Sequence, residues 1–429
     1  MQRCLVTFVP RALALIGVIA AALLIAPLPK AVAQFGGAGV AHYRLDADPG
    51  TSQVVVARQQ GLLYTAQLLP LDKNGRLLGA VDSIAQIAAV FDQLQRTLAA
   101  AQLNLGAVVK LNVYVRDDEV AAAVRKELPR RFKTSGPAVA YVTTTLPLNA
   151  RFALDAVASY NQSLAPLDSP RIRLAELHAA TNHTHFALSP SGSRVYVAGQ
   201  AEKGNLREAT TRTLESLGKT LEYLGLGWQD VVQIKSFVTP MANVADADDE
   251  VRRFFGDRSI PPLVWVEWKS DLPIEIELVA SANRGRDPDS IRKPADLEFL
   301  TPPGMTTPTI YSRVVRTHGP STIFVSGLFG EPGATGEQQV EAIFRKLEQA
   351  LSSTSEESAC DLRHLAKATY YVSDNDASTK LNELRPRFYD PRRPPAASKA
   401  MVSGVGLPKA TITIDMIAVP RSSSEPTPP

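Results

Sequence analysis

Cysteine is almost absent from this chain: Cys4 and Cys360 are the only two in 429 residues. Such a pair builds no disulfide framework, so stability has to come from a packed core. Aromatic residues are sparse, at 7%, which leaves mostly aliphatic side chains to fill that core. Beyond the N-terminus no apolar run reaches eighteen residues, so no later membrane span is expected. Runs of Lys or Arg are missing too, which disfavours a protein that grips a nucleic-acid backbone. What remains is an ordinary globular composition, 45% hydrophobic and 21% charged, with length for two to four domains.

The N-terminus stands apart. Arg3 and Arg11 precede the apolar stretch ALALIGVIAAALLIAPL, and AVAQ follows at 31–34. A positive n-region, an h-region and an A-x-A pattern predict a signal peptide over residues 1–33, with an uncleaved anchor as the alternative. Either reading exports the folded part, to a periplasm or beyond. Cleavage would remove Arg3, Arg11 and Lys30 and no acidic residue, leaving equal numbers of basic and acidic side chains. It would also leave Cys360 alone, at a helix-like position that suits a buried structural thiol.

The body of the chain writes one pattern three times. GLLYTAQLLPLDKNG, SRVYVAGQAEKG and STIFVSGLFGEPG align on Tyr64, Tyr196 and Phe324. Each is a strand that runs into a glycine turn, and each precedes a helical stripe. The stripes are Ile84, Ile87, Val90, Phe91, Leu94 and Leu98, then Leu214, Leu217, Leu221 and Leu224, then Val340, Ile343, Phe344, Leu347 and Leu351. Thr335 is the expected cap of the third. Alternating strands follow in VVKLNVYVRD, VVQIKSFVTP and LAKATYYVSD. A second amphipathic segment, a Pro-containing strand, a Leu-Pro turn and a last strand (FALDAVA, IEIELVA, ITIDMIA) close each copy.

The unit therefore reads β-β-α-β-α-β-β, a two-layer α+β arrangement. Repeats are expected at 42–160, 172–283 and 296–420, with Pro- and Asp-rich joints near 163–171 and 284–294 and a disordered tail at 421–429.

VYVAGQ with its downstream helix, DVVQIKSFVTP, RFYDPRRPPAAS and LPIEIELVASA resemble the RidA/YjgF family of reactive-intermediate deaminases, whose fold is chorismate-mutase-like. Members of that family form homotrimers with small-molecule clefts between subunits. The resemblance implies that this chain closes the same ring alone, as an intrachain pseudo-trimer and a monomer. It also implies a small-molecule ligand and no cofactor, while the balanced charge counts against nucleic acid and the lack of a placeable third ligand against a metal.

The deaminating members hold a substrate carboxylate with an Arg and position water with a Glu. Val139, Val264 (or Leu263, with a one-residue shift) and Ala397 stand at the Arg position here. The Glu survives only as Glu275, against Ala153 and Thr413. The resemblance further marks Tyr311, Ser326 and Asn382 as ligand-binding positions, with His185 at the Tyr311 position of the second copy. Arg393 is a candidate substitute cation, as are Arg392, Arg151 and Lys409. His183 and His185 form an H-x-H pair, but no third metal ligand can be placed.

Period-two alternation puts Glu275 and Glu277 on the face opposite Ile274, Ile276 and Leu278. That face is either a cleft or a polar outer surface. Three functions stay open: an imine or enamine hydrolase in one surviving cleft, a non-catalytic ligand- or protein-binding module, and a nuclease. Balanced charge counts against the last.

Overall fold

The computed structural model describes the backbone of 33–35 and residues 39–133, 136–161, 170–282, 297–355 and 358–421. Most of the expected signal segment and tail, and much of both joints, lie outside the described residues.

The first repeat contributes β1 (Ala33–Phe35), β2 (Val40–Tyr43), β3 (Val54–Ala57), β4 (Gly61–Thr65), α1 (Ser83–Ala100), β5 (Val108–Val115), α2 (Asp118–Phe132), β6 (Ala138–Thr143) and β7 (Phe152–Tyr160). The second contributes β8 (Arg171–Ile172), β9 (Phe186–Ser189), β10 (Arg194–Gln200), α3 (Leu206–Tyr223), β11 (Val231–Val238), α4 (Val244–Phe255), β12 (Leu263–Glu267) and β13 (Ile274–Ser281). The third contributes β14 (Leu297–Leu300), β15 (Val314–Thr317), β16 (Thr322–Val325), α5 (Gly336–Ser352), β17 (Leu365–Val372), α6 (Asn375–Leu384), β18 (Ala396–Met401) and β19 (Ile412–Ala418). Each repeat thus carries at least one strand more at its start than its sequence pattern announces.

The helices begin where the chemistry says they should. Thr335 caps α5 in a reciprocal box with Gln338, and Asn205 does the same for α3 with Glu208. Each second helix links a parallel strand pair, β5 with β6, β11 with β12 and β17 with β18, as a crossover requires. The apolar stripes of α1, α3 and α5 cover one face of each sheet and fill three separate cores, except that Ile84, expected in the α1 stripe, is exposed in the first turn of its helix and lies outside the core. The opposite faces share a fourth core on a common axis, where Tyr64, Tyr196 and Phe324 meet, almost wholly buried.

The sheets do not coincide with the sequence repeats. Their strand orders are β6-β5-β7-β4-β9-β8, β12-β11-β13-β10-β15-β14 and β18-β17-β19-β16-β3-β2-β1. The links 58–60, 190–193 and 318–321 are short enough for hairpins, yet the strands they join lie in different sheets. Thus β3 pairs with β16 while β4 pairs with β9, and β10 pairs with β15. One side chain ties the three crossovers together. Arg194 is 1% exposed. Its guanidinium donates to Thr322 Oγ1 at 3.2 Å and to the carbonyls of Gln60 and Pro190 at 3.3 Å. These bonds from its two terminal nitrogens help make the buried cation tolerable, although Nε has no partner among the described residues.

Candidate functional site

Three equivalent seams separate the repeats, and their contents have diverged. Between repeats one and two, Gln67 closes the seam like an added strand residue. Its amide donates to the Trp265 carbonyl at 3.0 Å, and its Oε1 accepts from Trp265 N at 3.3 Å. A cavity of about 180 Å³ lies beside it, lined in part by Gln93, His178, His183 and His185. Between repeats three and one, the hydroxyl of Ser326 and the amide of Gly327 both donate to the Val139 carbonyl at 2.8 Å. Between repeats two and three, the Gly199 amide donates to Ser398 Oγ at 3.0 Å and Ala198 N donates to the Arg313 carbonyl.

Only the seam between repeats two and three carries a carboxyl at the aligned position of the last strand. Glu275 on β13 pairs with Phe237, as Ala153 pairs with Tyr114 and Thr413 with Tyr371. Its carboxyl packs so tightly on Gly199 that a methyl there would overlap Oε1. In the first repeat the bulk is exchanged: Gln67 stands where Gly199 does, and Ala153 where Glu275 does. Burial and the negative charge of Glu277 push the Glu275 carboxyl up to about 7, against a smaller opposing effect of the Ser398 hydroxyl. Such a group changes charge near neutrality, as a general acid–base catalyst must.

The other sequence-marked residues distribute unevenly. Tyr311 borders the Glu275 seam: Ser312 N donates to the Pro395 carbonyl and the Arg313 guanidinium lies 5.4 Å above the Tyr311 ring. Arg393 lies 5.8 Å above the ring of Phe299, a residue of its own repeat. Ser326 sits in the seam between repeats three and one. His185 is in the seam between repeats one and two, where its Nδ1 accepts from Leu174 N and its Nε2 donates to the His178 carbonyl. Both ring nitrogens are thus engaged by backbone, and burial lowers its pKa. Asn382 is on α6, outside the axis, where it accepts from Lys399 Nζ at 3.3 Å. Strand register also decides between Val264 and Leu263. Leu263 pairs with Ile234 as Val139 pairs with Leu111 and Ala397 with Ala368, so Leu263 is the equivalent position. Among the described residues no cluster of three or more His, Cys, Asp or Glu is placed to hold a metal.

A second constellation was not foreseen from sequence. Lys110, Lys235, Lys367, Asp155, Glu277 and Asp415 are all buried on the common axis. Lys110 Nζ lies 3.0 Å from Asp415 and Lys235 Nζ 3.9 Å from it, while Lys367 Nζ lies 2.9 Å from Glu277. Asp155 accepts from Tyr114, Asn112 and Gln233. Each ion pair joins two different repeats, and the six charges sum to zero. Burial favours the protonated form of Asp415, but the three lysines outweigh it and hold its pKa well below the usual range. A cavity of about 30 Å³ among these groups has room for one water. A charged residue inside a mostly apolar strand, as Lys110 in VVKLNVYV, was the available signal.

A family model described as Endoribonuclease L-PSP matches residues 44–160, 174–282 and 305–420. The chain belongs to this family, with three copies in tandem. Solved structures that it resembles include YjgF- and Rid-family proteins, each covering about a quarter to a third of this chain. A YjgF-family protein from Neisseria meningitidis is 25% identical over 30% of this chain and 98% of its own, with a TM-score of 0.22. The Rid-family protein YyfB from Yersinia pestis is 21% identical over 28% and 99%, with a TM-score of 0.25. RidA from an Antarctic Psychrobacter is 22% identical over 25% and 82%, with a TM-score of 0.22. A search of curated proteins finds no match. Among the described residues no helix of this tandem L-PSP chain is long and apolar enough to cross a membrane.

Proposed function

We propose that this chain is an exported small-molecule hydrolase of the L-PSP family that keeps one working seam, between repeats two and three. The observation that carries the reading is the Glu275 carboxyl, held near neutrality against Gly199 and Ser398 at a junction of two repeats. In its ionised form Glu275 accepts a proton from water as the oxygen adds to the carbon of an imine or enamine-derived iminium. In its protonated form it returns that proton to the departing nitrogen, so that the imine and one water give a carbonyl and an amine or ammonia. An activated C=N bond needs little more than this orientation and proton transfer.

The aligned Arg positions hold Val139, Leu263 and Ala397, so none of them grips a substrate carboxylate. Arg393, over Phe299, is the substitute cation we assign to that role. Export rests on the N-terminal sequence pattern, which directs the folded part to a periplasm or to the medium. The family description names an endoribonuclease, but the balanced charge left after leader removal offers no attraction for a polyanion.

A second reading, a non-catalytic binding module, is favoured by the seam between repeats one and two. Its cavity of about 180 Å³ has no carboxylate in its lining. One assay separates the two. Purified residues 34–429 are mixed with 2-imino acids and with imines that lack a carboxylate, and semicarbazide traps whatever survives. Loss of semicarbazone that depends on the protein, and that Glu275→Gln abolishes, supports the hydrolase. Trapping at the protein-free level with every imine leaves the binding module, to be tested by ligand-induced shifts in melting temperature.

A further inference from the structure

The crossovers order the chain in an unexpected way. The strands from 61 to 189 build one sheet, those from 194 to 317 the next, and those from 322 to 418 most of the third. The third sheet is completed by the opposite end of the chain: β3 lies on β16, and β2 and β1 follow. The links 58–60, 190–193 and 318–321 bridge the three sheets covalently. The ring can therefore open at one place without breaking a covalent bond, between β3 and β16.

That junction is well built. The ladder runs from Ala57 opposite Thr322 to Val54 opposite Val325, and Ser326 N continues it to the Gln53 carbonyl at 2.8 Å. Ala41, Tyr43, Val54 and Val56 are buried in the core of the third repeat. Val40, Val55 and Ala57 are buried in the axial core. Ser355 N donates to Tyr43 Oη at 3.1 Å, and the Arg58 guanidinium donates to Ser355 and Ser358. On its other side the segment meets the first repeat, where the Ser52 hydroxyl donates to the Gly136 carbonyl at 2.6 Å and Asp48 lies 3.3 Å from Arg125. The hinge is brief and includes Gln59 at φ 53°, a left-handed backbone that glutamine seldom adopts.

We infer that the edge of β16 is a docking site for the strand pair Val40–Ala57, and that it accepts this segment from its own chain or from a second copy. In the second case each copy lays its N-terminal strands on the other's third sheet, and every contact above is remade between chains. The result is a closed, strand-exchanged dimer. The exchange needs no new interface, only an open hinge. A hinge too short to turn back favours it.

Two experiments on residues 34–429 test this. In the first, a protease site is inserted between Gln59 and Gln60 and cut after folding. The released fragment is expected to co-elute with the remainder on size exclusion and to exchange, in mild urea, for a fluorescent peptide of residues 39–58. The same peptide carrying Val55→Asp is expected not to exchange. A fragment that leaves at once while the remainder keeps its unfolding midpoint would overturn docking. In the second, Gln59 and Gln60 are deleted, and light scattering is expected to read twice the chain mass. A deletion variant that stays monomeric with an unchanged midpoint would overturn exchange between copies. Should the deletion variant fail to fold, labelled peptide bound by the cut wild-type ring still decides whether β16 accepts the segment from outside.

Discussion

Glu275→Gln should make the protein more stable, and only above a defined pH. Folding raises the Glu275 carboxyl from its ordinary 4.5 to about 7. Below pH 4.5 the group is protonated whether the chain is folded or not, and the shift has no effect on stability. As pH rises from 4.5 through 7, the unfolded chain releases the proton and the folded chain holds it. The wild type then loses stability, and the full loss is present above pH 7. A shift of about 2.5 units at about 1.36 kcal/mol each gives about 3 kcal/mol. This is an upper figure, since Glu275 keeps some exposed surface. Glutamine keeps the shape and has no charge to desolvate. The assay is urea unfolding of the wild type and the variant at pH 4.5 and pH 8. Expected is near coincidence at pH 4.5 and a higher midpoint for Glu275→Gln at pH 8, by roughly 1 M urea for a slope of about 3 kcal/mol/M. A variant that is less stable at pH 8, or a difference that does not change with pH, would refute the claim that the carboxyl is held in a dry seam. Activity lost in the same variant would mark Glu275 as a residue whose strain is kept for function.

Three further outcomes follow from the same geometry. Asp415→Leu leaves Lys110 and Lys235 buried without their carboxylate. It should cost about 3–5 kcal/mol by urea unfolding at pH 7, with much of the loss recovered in Lys110→Met/Asp415→Leu. Because Asp415 is held below the usual range, that cost should shrink as pH falls below about 4, where the unfolded carboxylate protonates. Gly199→Ala drives a methyl into the Glu275 carboxyl and should cost about 1–3 kcal/mol. Most of that cost should vanish when Glu275→Ala is added, and a cycle showing simple additivity would contradict the contact. Burial and the neighbouring Asp361 push the Cys360 thiol up to about 12, so a thiol reagent at pH 8 should label it only after unfolding.

Elements that depend on local pattern were legible in the sequence. The stripe Val340, Ile343, Phe344, Leu347 and Leu351 is the buried face of α5, and Thr335 caps it. The alternation in IEIELVA does put Ile274, Ile276 and Leu278 against the helices and Glu275 and Glu277 toward the axis. What stayed hidden depends on contacts between distant segments. A strand, a short turn and a second strand look alike whether the turn folds back or carries the chain to another sheet, so the exchange at 58–60 has no local signature. Alternation tells that Lys110 and Lys367 face away from the helices, but not that another sheet covers that face. A polar position in a strand therefore reads as solvent-facing, although Lys110 is 2% exposed. The Leu263 shift belongs to the same class, because only pairing with Ile234 fixes it.

The axial charges and the divergent seams have a common origin in covalent fusion. In a trimer of identical subunits, a lysine at the height of Lys110 would be repeated three times around the axis, and three ammonium groups would face one another in a dry core. Here the ring reads Lys110, Gln233 and Lys367, and the next reads Asn112, Lys235 and Thr369. The three lysines are spread over two levels and meet Asp155, Glu277 and Asp415, which occupy one equivalent position in the three last strands. The same freedom lets one seam pair Gly199 with Glu275 while another sets Gln67 against a last strand that offers Ala153. An inward-facing charge matched across repeats also fixes their order, since exchanging any two would place Lys367 away from Glu277. The asymmetric axis thus holds the repeats in the one arrangement in which Glu275 meets Ser398.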